Sequence, residues 1–156
     1  MRIETASPHD PDVALLLDEH LAEMRATSPP ESVHALPHEA LARPDVRLLA
    51  AREAGPERDA LLGVGALKHH DAHLGELKAM RTTPRSRGRG VATALLARLL
   101  DLARAEGLVV VALETGSQDH FAPARRLYTR HGFVVCGPFA DYRTDPNSVF
   151  MRRALP

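Results

Sequence analysis

Two hydrophobic periods alternate along this chain, and where one gives way to the other an element ends. Arg2–Thr5 reads as a short first strand. From Val13 the positions Leu16, Leu17, His20, Leu21 and Met24 recur at helical spacing, behind Ser7 or Asp10 as caps and Pro11 near the first turn. Ser28-Pro29-Pro30 breaks that helix, and a second covers 37–42 and ends before Pro44. Strand runs at 46–51 and 61–68 flank a polar turn, 52–59, and form a hairpin. After the turn His69-His70-Asp71-Ala72, Leu74–Thr82 reads as a long strand, with Leu74, Glu76, Lys78 and Met80 alternating against Gly75, Leu77 and Ala79. Pro84 stops it.

The second half is more sharply punctuated. Val91, Leu95, Leu99 and Leu102 share a helix face, with Gly107 as the residue just past the end. The Val-rich run 108–113 has the continuous apolar character of a strand buried on both faces. Ala122–Arg130 reads as a helix with Ala124, Leu127 and Tyr128 inward and Gly132 ending it. Strands at 133–136 and 148–152 close the chain, joined by a polar loop through Asp141, Tyr142, Asp145 and Pro146. The order β-α-α-β-β-β-α-β-α-β-β implies an α/β (α+β) fold with one mixed sheet and helices on both faces.

Composition narrows the function classes. The 156 residues suit a single domain, 1–156, with one core. Lys+Arg and Asp+Glu both number 20, so no overall positive field favours nucleic acid, and few aromatics are available for stacking bases. No apolar run is long enough for a membrane span, and Met1 to Ala6 lacks the apolar region of a secretory signal. The one cysteine, Cys136, excludes an intrachain disulfide, fits a cytoplasmic location and reads as a half-buried strand-end thiol. His69, His70, Asp71 and His73 have metal-ligand chemistry on paper, but such a turn is more often solvated.

The main chemical signal lies where the long strand meets the central helix: Arg85-Ser86-Arg87-Gly88-Arg89-Gly90-Val91-Ala92-Thr93. Two glycines one residue apart let the backbone turn its N–H groups outward, and the helix start adds unpaired donors and a positive dipole end. With Arg85, Arg87 and Arg89 alongside, this is a polyphosphate site. The chain has no Gly-Lys pair for a Walker-type phosphate loop, and Thr93 stands where a dinucleotide fingerprint needs its third glycine.

Arg85, Gly88 and Gly90 do match [RQ]-x-x-G-x-[GA], which resembles the pyrophosphate loop of the GNAT superfamily, the GCN5-related N-acetyltransferases. The resemblance extends to Leu77-Lys78-Ala79-Met80-Arg81-Thr82-Thr83-Pro84, similar to the family's fourth strand, and to Ala124-Arg125-Arg126-Leu127-Tyr128-Thr129-Arg130-His131-Gly132-Phe133, similar to its A-x-x-L-Y-x-x-x-G-F segment. It covers about 61–136, most like small stand-alone bacterial members, and the predicted element order is also the family's.

The resemblance implies a GNAT-like, acetyl-CoA-dependent N-acetyltransferase acting directly on a primary amine of a small molecule. Protein or peptide N-acetylation and a non-catalytic acyl-CoA-binding module are the alternatives. It implies that main-chain N–H groups of Arg87, Gly88, Arg89, Gly90, Val91 and Ala92, with Thr93, hold the pyrophosphate beside Arg85. The strand edge at Met80, Arg81 and Thr82 would pair with the pantetheine, on a bulge that the sequence does not reveal, and an N–H near Met80 would face the oxyanion. Tyr128 is the implied general acid and Glu76 the candidate base, with Glu114 in reserve; His120 and Tyr142 are further residues within reach of the acceptor. Arg125, Arg126 and Arg130 read as a solvated face, one of them near the nucleotide's 3′-phosphate. Phe121 stands where relatives commonly place Asn, which puts that cofactor contact in doubt. Many relatives are dimers, so a homodimer is compatible, and no nucleic-acid or membrane partner is expected.

Overall fold

The structure is a computed structural model and describes residues 1–56 and 59–156; part of the polar turn 52–59 lies outside the described residues. The expected order is present: β1 (Arg2–Thr5), α1 (Pro11–Thr27), α2 (His38–Leu41), β2 (Val46–Arg52), β3 (Leu61–His69), β4 (Leu74–Thr82), α3 (Val91–Ala105), β5 (Val110–Gly116), α4 (Ala122–Arg130), β6 (Val134–Cys136) and β7 (Ser148–Ala154). One seven-stranded sheet runs β1-β2-β3-β4-β5-β7-β6. Its pairs are antiparallel except β4 with β5, which run parallel. Among the described residues no helix is long and apolar enough to cross a membrane.

Each sheet face has its own apolar layer. Val13, Leu16 and Leu17 of α1 and Leu41 of α2 pack on Leu48, Ala50, Val64 and Ala66. On the other face, Leu95, Leu96 and Leu99 of α3 and Leu127 and Tyr128 of α4 cover Leu67, Leu77, Val111 and Leu113. Strand β5 is buried on both sides, as its Val-rich run requires.

The helix ends follow from single residues. Asp10 is the N-cap of α1, but its carboxylate accepts the Ser7 N–H at 3.1 Å. Pro11 has no N–H to cap, and the Val13 N–H goes to Asp12 at 2.8 Å instead. Helix α4 ends at Gly132, whose φ of 83° lets Gly132 N–H reach Thr129 O and Phe133 N–H reach Tyr128 O, both at 3.1 Å. The Phe133 ring then packs edge-on against Tyr128, centroids 5.8 Å apart. The cap therefore holds Tyr128 from both its carbonyl and its ring.

Strand β4 departs from the strict alternation its sequence suggests. Ala66 pairs with Lys78 and Val64 with Arg81, so Ala79 and Met80 together oppose the single residue Gly65. Ala79 sits at φ 54°, and the extra residue is a β-bulge. Beyond it the faces exchange: Ala79 packs on the α1 layer and Met80 on the α3 layer with Leu77, rather than beside Glu76 and Lys78. Gly65 is required opposite, because a Cβ there would lie 2.6 Å from Met80 Sδ and 3.0 Å from Leu99 Cδ1.

Candidate active site

Strands β4 and β5 pair from Leu74 with Val110 to Leu77 with Leu113 and then stop. Both continue, β4 to Thr82 and β5 to Gly116, so past the bulge they part without a partner between them. A cleft of about 740 Å³ opens there, reaching from Gly88 and Gly90 at one end to Glu76, Lys78 and His34 at the other, with Tyr128 and Glu114 on its wall. Unfilled main-chain donors and acceptors along two parting strands suit an extended, amide-containing ligand laid between them.

At the loop end, Gly88 and Gly90 adopt φ of 74° and 78°, and no atom lies within 4 Å of where a Cβ would sit on either. The first helical bond of α3 is Ala94 N–H to Gly90 O at 3.0 Å, which leaves the N–H groups of Val91, Ala92 and Thr93 without intrahelical partners. Among the described residues of 87–90, only Arg89 donates its N–H to a main-chain carbonyl, that of Ser86. Open space, outward donors, a dipole end and Arg87, Arg126 and Arg130 at the cleft fit a pyrophosphate with a further phosphate nearby. Arg85 and Arg89 are not among the lining residues; Arg89 pairs with Glu53 at 3.2 Å. Met80, Arg81 and Thr82 do line the cleft, and Arg81 also forms an ion pair with Glu23 of α1. Arg125 is structural rather than solvated: its Nη1 donates to Gly116 O at 2.6 Å and Gln118 O at 3.0 Å.

Tyr128 is 6% exposed, and burial, followed by the nearby Glu114 charge, holds its phenol well above the ordinary range. It therefore remains a protonated donor at neutral pH. Glu114 lies on β5 one residue past the last paired position, and burial pushes its carboxyl up to about 7, with the Glu76 and Asp145 charges adding and Ser148 and Lys78 opposing. A carboxyl that titrates near neutrality is suited to accept a proton.

Glu76 has a different environment. It is 2% exposed, and both its oxygens are taken: Oε1 by His70 Nε2 at 2.7 Å, Oε2 by Lys78 Nζ at 3.2 Å and by the Tyr142 hydroxyl, which donates at 2.5 Å. Tyr142 also accepts from Lys78 at 2.9 Å and meets the rings of His34, Phe139 and Phe150. The loops bearing these rings are joined, Ser32 Oγ donating to Asp145 Oδ2 at 2.6 Å. Glu76 is thus the centre of a closed polar network, and the loop that bears Tyr142 is tied to residues 28–37 by the Ser32–Asp145 and His34–Tyr142 contacts.

Two further groups on the wall, His20 and Glu23, are not marked as site residues by any motif in the sequence. His20 occupies a helical core position of α1 but lines the cleft, where burial and then Arg81 lower it to about 4, so it stays neutral. Its signal was an imidazole in an apolar stripe. Glu23 joins Arg81 and also His120, at 2.8 Å, tying α1 to the segment before α4. Phe121 lies against Gly116, where a Cβ would be 2.1 Å from its ring. His69 pairs with Glu106, and Asp71 Oδ1 accepts the N–H groups of His73 and Leu74 at 2.7 and 2.8 Å.

Comparison with known proteins gives a concordant result. The model of the acetyltransferase (GNAT) family matches residues 13–133. The chain is 46% identical to the uncharacterized N-acetyltransferase YsnE of Bacillus subtilis, over 92% of each chain. It is 42% identical to the uncharacterized N-acetyltransferase YedL of Escherichia coli, over 98% of this chain and 94% of that one. A solved structure from Klebsiella pneumoniae, assigned as an acyl-CoA N-acyltransferase, superposes with a TM-score of 0.77 at 32% identity, covering 99% of this chain and 97% of the other.

Proposed function

Because the chain belongs to the acetyltransferase (GNAT) family and is an acetyl-CoA-dependent N-acetyltransferase, we propose that its acceptor is the primary amine of a small molecule, with Glu114 as proton acceptor and Tyr128 as proton donor. The observation that carries this reading is that both groups line the same cleft where β4 and β5 part. Acetyl-CoA supplies an acyl thioester already activated toward amines. The loop 87–93 would hold its pyrophosphate by main-chain N–H groups, and the parted edge of β4 at Met80, Arg81 and Thr82 its pantetheine amides. The bulge leaves Ala79 and Met80 sharing one partner residue, and a main-chain N–H there would polarise the thioester carbonyl.

An amine arrives as an ammonium and must lose a proton before it attacks. Glu114, poised near 7, takes that proton directly or through water. Tyr128, held protonated by burial, gives one to the departing thiolate. Glu76, the first candidate for base from the sequence, has both oxygens filled, and we assign it to holding Lys78 and Tyr142 in place. The loops joined by the Ser32–Asp145 contact, next to the Glu76 network, favour a compact acceptor over a peptide chain.

Amine-dependent thiol release tests the assignment. Tyr128→Phe should lower kcat by about tenfold to a hundredfold while acetyl-CoA affinity, measured by calorimetry, changes little. An unchanged kcat would remove Tyr128 from the chemistry and leave it as a packing residue.

A further inference from the structure

Lys78 is not used by the chemistry above, yet it lines the cleft with its side chain only 10% exposed. An ammonium has three donors, and two are spent, on Glu76 at 3.2 Å and Tyr142 at 2.9 Å. The third is left to an acceptor at the cleft, water or ligand, since the described residues offer it none. Glu76 cannot turn to supply it, since His70 and Tyr142 hold its oxygens.

The placement of Lys78 says what that partner is. Leu77 and Leu113 are the last paired residues of the two parallel strands, so Lys78 and Glu114 are the next residue on each, at the two lips of the split. Leu77 and Leu113 both face the α3 layer, which puts Lys78 and Glu114 on the opposite face. The Lys78 charge acts on Glu114, but among the described residues Lys78 makes its ion pair with Glu76. A cation and a carboxyl therefore flank the gap side by side. A bare ammonium entering there would find a partner only on the Glu114 lip. One that brings its own carboxylate would meet a partner on each lip.

We propose that the acceptor is a zwitterion with amine and carboxylate one or two carbons apart, an α- or β-amino acid, its carboxylate held by Lys78 and its amine presented to Glu114. This rests on the N-acetyltransferase reading of the same cleft and adds the substrate class to it.

The test measures thiol release with the protein amino acids and β-alanine, each compared with its decarboxylated amine, such as phenylalanine against phenethylamine. Wild type should favour the amino acid in kcat/KM by about tenfold or more, and Lys78→Met should shrink that preference, mainly by raising KM for the amino acid. Lys78→Arg, which keeps the charge, should restore part of it. Because Lys78 also neutralises Glu76, the Glu76→Gln/Lys78→Met pair serves as a second variant in which no buried carboxylate is left unpaired; it should show the same narrowed preference. Equal losses for amino acid and amine in both variants would reduce Lys78 to a structural counter-ion and overturn the proposal. Acetyl-CoA binding by calorimetry without turnover of any amino acid would overturn this inference alone. Absence of acetyl-CoA binding would overturn the underlying reading and this one with it.

Discussion

Replacing Glu114 by Gln keeps the size of the side chain and removes its titration, so it isolates the electrostatic cost of the proposed base. In the folded protein burial raises this carboxyl from an ordinary 4.5 to about 7. Folding thus favours its protonated form: the stability contribution is complete below about 4.5, declines as pH rises toward about 7, and is flat above. A displacement of that size corresponds to roughly 3 kcal/mol, which water in the open cleft reduces to about 1–3 kcal/mol. Gln escapes the loss. Relative to wild type, Glu114→Gln should therefore gain about 1–3 kcal/mol of unfolding free energy between about pH 5 and pH 8, or roughly 2–10 °C in Tm for a chain of this length. Urea and thermal unfolding at a series of pH values read this directly. The same buffers applied to thiol release should show wild-type kcat/KM rising with pH through about 7 and the variant without that limb. Parallel stability curves for the two proteins would refute the reasoning, because an unperturbed carboxyl cannot be both cheap to ionise and poised as a neutral-pH base.

Two other substitutions probe the cofactor half of the cleft. Gly88→Glu places a carboxylate in open space at a φ of 74°; it should cost about 1 kcal/mol in stability but abolish acetyl-CoA binding in calorimetry, and Gly88→Ala should bind measurably. Gly65→Ala brings a Cβ to 2.6 Å from Met80 Sδ, so it should destabilise by about 1–3 kcal/mol in urea and weaken acetyl-CoA binding by moving the bulge; unchanged affinity would separate the bulge from the cofactor.

Much of this architecture was legible because single residues punctuate it. Pro84 ends β4, Gly107 and Gly132 end α3 and α4 with positive φ, and the Val-rich run gives a strand buried on both faces. The turn into α3 was legible for the same reason, since two glycines and a helix start act locally. The different surroundings of Glu76 and Glu114 were not. Both are acidic residues on adjacent strands, and what separates them is Tyr142, 66 residues beyond Glu76 in the chain, together with His70 across a turn. Partner sets of that kind arise from packing and leave no periodic trace. Lys78 read as an ordinary polar strand position for the same reason.

The bulge stands between these cases, since the polarity of β4 already contains the conflict that it resolves. Strict alternation through Glu76, Leu77, Lys78, Ala79, Met80 and Arg81 would put Arg81 with Leu77 beneath α3 and Met80 with Glu76 on the opposite face. A guanidinium in that apolar layer would carry an uncompensated desolvation cost of several kcal/mol. One inserted residue at Ala79 returns Arg81 to the α1 face, where Glu23 meets it, and turns Met80 into the layer that Gly65 leaves open. The same insertion takes β4 out of step with its neighbours just where its pairing with β5 ends, and so opens the cleft. In this strand the placement of one arginine and the opening of the cleft are a single event.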